Sequence, residues 1–89
     1  MTAAEKEKSA RIETKLQLIA SECNQAANLA HQDNYKDAYR IYAACAEAMM
    51  KIAKETTDDS QFNEQLRTQL QAIINKANIC KQVAQKKGQ

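Results

Sequence analysis

The chain has 89 residues, a formal charge of +2 and 27% charged residues, with no proline, no tryptophan and a single glycine at position 88. One small domain fits that length, and a near-balanced charge does not by itself argue for nucleic acid. No apolar run approaches the roughly 20 residues needed to cross a bilayer. The opening MTAAEKEKSARIETK alternates acid and base without the apolar centre of a signal peptide, so a cytoplasmic location is expected.

Alanine, glutamine, lysine and glutamate dominate, and almost nothing punctuates them. Such a composition predicts an all-α fold. Residues 1–8 read as a charged extension or a frayed helix start, and 9–85 as the folded unit. In the first helix Ile12, Leu16, Ile19, Cys23, Ala26 and Ala30 recur at spacings of four, three, four, three and four, an amphipathic stripe. The first break falls at His31-Gln32-Asp33-Asn34, where Asp33 or Asn34 is placed to cap the next helix. A turn this short makes the two flanking helices antiparallel.

The second helix is expected from about Tyr35 to Lys54. One stripe on it is Ala38, Tyr42, Cys45, Met49 and Ile52, and a second is Tyr35, Tyr39, Ala46, Met50 and Ala53. Two apolar stripes predict a helix buried on two sides, the centre of the assembly. Small residues among tyrosines let a neighbouring helix approach closely, while each tyrosine supplies apolar area and a hydroxyl. The second break, Glu55 to Ser60, is rich in threonine and aspartate, and Asp58 ahead of Gln61 forms a variant capping box. The third helix is expected from about Ser60 to Gln85. Leu66, Leu70, Ile73, Ala77, Cys80 and Ala84 form its stripe, with Phe62, Ile74, Ile79 and Val83 broadening that face. Residues 86–89, Lys-Lys-Gly-Gln, read as a tail or the start of a linker. The architecture so predicted is an antiparallel three-helix bundle.

From Gln65 to Gln89 no residue is acidic, while Arg67, Lys76, Lys81, Lys86 and Lys87 are basic. This is a favourable cationic helix end, or else a flank that attracts an acidic peptide or an anionic membrane surface. Ile74, beside Asn75 and Asn78, is either part of a broad core face or an exposed anchor in a groove. Cys23, Cys45 and Cys80 are far apart in sequence and fall at helix-core positions, as small reduced hydrophobes do. His31 is the only histidine and stands in a turn, so no metal site, cofactor or catalytic residue is expected. With no phosphate-binding glycine loop and no nucleophile–base pair, an enzyme is not expected either. The three tyrosines are committed to the second helix rather than interleaved with basic residues, against nucleic-acid binding.

Asn34, Tyr35, Ala38 and Tyr42, followed by the small Cys45 and the apolar Met49-Met50, resemble the second helix of the MIT domain, the microtubule-interacting and trafficking module. The similarity runs over roughly Leu18 to Lys81. In the third helix the run Ile73-Ile74-Asn75-Lys76-Ala77-Asn78-Ile79-Cys80-Lys81 stands where the family carries Tyr-Leu-Asp-Arg-Ala-Glu-x-Leu-Lys. The resemblance implies a three-helix bundle that binds motifs in the C-terminal tails of ESCRT-III subunits, recruiting its parent protein in endosomal sorting and protein transport. One family mode lays an amphipathic helix between the second and third helices. Carried over, it makes Ile74 the anchor, with Met50 and Ala77 as groove neighbours and Asn75 and Asn78 at the family's acidic positions; Arg67 and Lys81 of the basic flank complete the candidate peptide-binding residues. Asn75 and Asn78 replace the family's acidic residues, so the charge pairs that select a basic helix are missing. A second mode runs an extended, proline-containing motif between the first and third helices. The glycine common in the family just before the Asn-Tyr pair is also absent. The isolated domain is expected to be a monomer. The alternative is a self-associating helical bundle or a tetratricopeptide-like interaction unit, though a lone repeat of that kind would be marginal.

Overall fold

A computed structural model describes residues 2–88, apart from the side chain of Glu5; Met1 and Gln89 lie outside the described residues. Three antiparallel helices follow one another: α1 (Ala3–His31), α2 (Tyr35–Glu55) and α3 (Ser60–Lys86). The charged segment read as an extension or a frayed helix start is helical from Ala3 onward, and of the expected tail Lys86 closes α3 while Lys87 and Gly88 lie in the turn after it. No described helix is long and apolar enough to cross a membrane.

The all-α three-helix bundle is what the periodicity predicts. On α1 the stripe turns inward at Ile12, Ile19 and Ala26, with Leu16, Cys23 and Ala30 partly covered. On α2 every member of the first stripe is buried, and Ala38 and Cys45 are 0% exposed. The second stripe divides: Ala46 and Ala53 are buried, Tyr35 and Tyr39 are half-buried, and Met50 is exposed. On α3 the stripe is interior except for the half-buried Leu70. Ile79, expected to broaden this face, is instead 59% exposed. It lies one step before Cys80, and the 100° rotation of that step carries it off the buried stripe. Both α1 and α3 pack along α2, whereas contacts between α1 and α3 are sparse.

The two turns differ from the expected caps. After α1, the Asn34 amide donates to the Leu29 carbonyl at 2.8 Å and the Asp33 amide to the Ala30 carbonyl at 3.1 Å. These are the two bonds of a Schellman motif, which needs a left-handed residue at its end. Asp33 takes that conformation, with φ +63°, at the place where the family resemblance puts a glycine. Asn34 is the N-cap residue but makes no side-chain cap bond. The Asp33 carboxylate is turned to α3, where Lys87 Nζ donates to its Oδ1 at 3.0 Å. Before α3 the cap is Asp59 rather than Asp58, with Oδ1 accepting from the Phe62 amide at 3.1 Å. Because Ser60 is the first helical residue, Asp58 stands one place too early.

A buried polar cluster locks this second turn. Asn63 Nδ2 donates to the Ala53 carbonyl at 2.6 Å and to Thr56 Oγ1 at 3.3 Å, and Thr56 Oγ1 donates to the Ile52 carbonyl at 3.0 Å. Thr56 and Asn63 are both buried. The free carbonyls at the end of α2 thus find partners inside the protein, as helix ends require.

Candidate peptide-binding grooves

The sparse contact between α1 and α3 leaves a groove of about 510 Å³ near the start of both helices. Ile12 and Leu16 from α1 and Phe62 from α3 supply its apolar surface. Lys8, Glu13, Asp58 and Asp59 stand around it. The capping bond of Asp59 fixes the backbone that carries Phe62. Lys8 Nζ donates to the Glu55 carbonyl at 2.8 Å, tying the first turns of α1 to the end of α2. Two of the polar groups at the edge of this groove, Lys8 and Asp59, are therefore already engaged within the fold.

A smaller groove of about 240 Å³ lies between α2 and α3. It brings together Met50, Ala53 and Leu70 with Lys54, Thr57 and Arg67. Met50, placed by the family resemblance, and Arg67, from the basic flank of the third helix, both line it. Arg67 Nε donates to Asn63 Oδ1 at 2.9 Å, so the guanidinium is oriented by the buried polar cluster. The other expected residues do not line this groove. Ile74 is half-buried and packs against the core, and Ala77 is a core residue only 6% exposed. Asn75 and Asn78 are exposed, and Asn75 Oδ1 accepts from Gln71 Nε2 at 3.1 Å. Lys81 is exposed a further turn along. Ile74 thus contributes chiefly to packing, and Met50 with Leu70 form the apolar part of this face.

The residues of the larger groove were not expected as site residues. Ile12 and Leu16 are members of the α1 stripe, and their sequence gives no sign that they line a groove beside α3. Phe62 carried a weak signal: it is the one phenylalanine of the chain and precedes the first regular stripe residue of α3 by a turn.

At the opposite end of the bundle, the α1–α2 turn and the end of α3 form a clasp. Lys87 bridges to Asp33 and also lies 5.0 Å from the centre of the Tyr35 ring. The Lys87 hydrogen bond, reinforced by its charge, holds the Asp33 carboxyl below its ordinary range. All three groups lie at the surface or near it, so the clasp orders the end more than it stabilises the whole.

Among the described residues no set of three or more His, Cys, Asp or Glu side chains converges to hold a metal ion. No protein-family model, curated protein or solved structure matches the chain.

Proposed function

We propose that this chain is a peptide-docking module of the MIT type, holding an extended segment of an ESCRT-III C-terminal tail between α1 and α3. The observation that carries this is the groove left by the sparse α1–α3 contact, with Ile12, Leu16 and Phe62 at its surface. It offers about 510 Å³ against about 240 Å³ between α2 and α3. An extended segment suits it because alternate side chains of such a segment point the same way, so two or three apolar residues can reach the floor together. The α2–α3 face lacks the acidic pair that would hold a basic helix, since Asn75 and Asn78 occupy those positions and Ile74 is engaged in packing.

A few apolar anchors set against the ordering of a short tail support affinities on the order of micromolar. Tails clustered in a polymer raise the effective strength by avidity. The module would then bring its parent polypeptide to the cytoplasmic side of endosomal membranes as part of protein transport.

The test is a titration with a panel of ESCRT-III tail peptides, read by heteronuclear NMR. Extended proline-containing tails are expected to shift the amides of Ile12, Leu16 and Phe62, and Phe62→Asp is expected to weaken binding at least tenfold while Met50→Asp leaves it unchanged. The reverse pattern transfers the ligand to the α2–α3 groove. Failure of every tail to bind overturns the reading.

A further inference from the structure

A third groove, of about 380 Å³, lies between α1 and α2 and is lined by residues of these two helices alone. Its floor is formed by Ile19 and Ile52, both buried. On the α2 side the wall is low, because Ala44 and Ala48, one turn apart, carry only methyl groups. On the α1 side it is high, because Leu18 stands 61% exposed. One face thus holds an apolar knob on one helix and a shallow seat on the other. Four charges rim it: Lys15 and Glu22 from α1, Glu47 and Lys51 from α2. Among the described residues the ion pairs lie elsewhere, at Asp37–Arg40 and Asp33–Lys87, so these rim charges are not spent on one another.

Two sets of contacts fix how the helices align. Lys8 reaches the Glu55 carbonyl, and Cys45 Sγ lies against the Ile19 carbonyl and Glu22. In antiparallel helices this register sets Lys15 level with Lys51 at one end of the groove and Glu22 level with Ala44 at the other, with Leu18 and Glu47 between them. The rim therefore runs from a basic end to an acidic one. Arg40, the next cation beyond the acidic end on α2, lies 4.0 Å from Asp37 and does not reverse the sign.

We propose that this face is the interface of a weak two-fold dimer, in which Leu18 of each copy seats on Ala44 and Ala48 of the other. A two-fold axis normal to the face, passing between α1 and α2 at the level of Leu18, lays α1 of one copy over α2 of the second. That rotation carries Leu18 onto the alanine turn, Lys51 over Glu22 of the second copy, and Lys15 towards Glu47 of the second copy. Opposite signs meet at every one of these contacts. Shape and charge that complement themselves under one rotation are what an isologous interface requires, and they favour a second copy over an unrelated chain. The protruding apolar area is small, so a dissociation constant on the order of 100 µM is expected. This departs from the monomer expected of the isolated chain. The α1–α3 groove lies on another face and stays open, so the dimer carries two of them.

The test is sedimentation velocity of the full chain in low salt from about 10 µM to about 1 mM, beside NMR spectra over the same range. The sedimentation coefficient is expected to rise with concentration, the amides of Leu18, Ala44 and Ala48 to shift with it, and salt at about 0.5 M to weaken the dimer about threefold or more. Leu18→Asp is expected to weaken it about tenfold or more. Lys15→Glu and Glu47→Lys, both at exposed positions, are each expected to stay monomeric with an unchanged melting temperature. Their equimolar mixture is expected to associate as the wild type does, because each substituted charge then faces its opposite. A chain that remains monomeric at about 1 mM, a dimer that survives Leu18→Asp, shifts centred on Met50 or Ile79, or a mixture that does not associate overturns the proposal. No tail peptide enters these measurements, and Phe62→Asp is expected to leave the dimer unchanged, so dimerisation and tail binding can fail separately.

Discussion

Replacing Asn63 by alanine tests whether the buried polar cluster holds the second turn. The substitution removes three hydrogen bonds: to the Ala53 carbonyl at 2.6 Å, to Thr56 Oγ1 at 3.3 Å and from Arg67 Nε at 2.9 Å. A net contribution of about 1 kcal/mol for each well-made buried bond gives an upper figure of about 3 kcal/mol. Two features reduce it. The Ala53 carbonyl keeps a backbone partner in the Thr56 amide at 3.4 Å, so it is not orphaned. Arg67 is exposed and regains water. About 2 kcal/mol of lost stability remains, which lowers the melting temperature of a domain this small by about 8 to 16 °C. Urea denaturation followed by circular dichroism measures the change. Combining Asn63→Ala with Thr56→Val in a double-mutant cycle should give a coupling of about 1 kcal/mol, because both side chains act on one set of carbonyls. A loss below about 0.5 kcal/mol, or strict additivity in the cycle, refutes the reasoning that this cluster anchors α2 to α3.

The clasp predicts a pH effect with a definite sign. Lys87 holds the Asp33 carboxyl below its ordinary 3.8 when folded, so its contribution is complete above about pH 4 and is lost as pH falls through the lower folded value. Lys87→Ala should return Asp33 towards 3.8 and flatten this part of the acid slope, as read by NMR titration of the side-chain carboxyl; an unmoved titration refutes the bridge. Ala38→Leu should cost about 1 to 3 kcal/mol by overpacking the core around the fully buried Ala38, measured by thermal melting. A neutral result there would mean that the core around Ala38 is not closely packed.

Much of the fold was legible because little in the chain interrupts a helix. The α2 and α3 boundaries fell within a residue of those expected, since the acceptor-rich turns stand out against alanine, lysine and glutamine. The central place of α2 followed from its two stripes. Finer features were hidden by their physics. Asp58 and Asp59 are adjacent acceptors, and only the backbone angle at the helix start decides between them. Asn63 continues the α3 stripe three residues before Leu66, so its position pointed inward, but nothing local reveals that the Ala53 carbonyl and the Thr56 hydroxyl await it. The surface of the larger groove depends on how α1 and α3 are rotated about α2, a relation between distant segments that no periodicity encodes. The approach of Cys45 Sγ to the Ile19 carbonyl and Glu22 is of the same kind, visible only once α1 and α2 are aligned. At the α1–α2 turn the missing glycine proved to matter less than expected: Asp33 accepts the left-handed geometry, and its carboxylate gains Lys87 in return.

The sharing of α2 by both packed pairs also bears on how the chain folds. Each pair joins neighbours in sequence, so the α1–α2 and α2–α3 hairpins can close over short loops, the arrangement that gives helical bundles folding times of microseconds to milliseconds. Neither hairpin needs the other to be complete before it forms, since contacts between α1 and α3 are sparse. Two routes to the native state are then open, and both pass through α2. A substitution on its buried stripe, such as at Ile52, weakens every route at once, whereas one at Ile12 or Leu66 slows one hairpin and leaves the other as a nucleus.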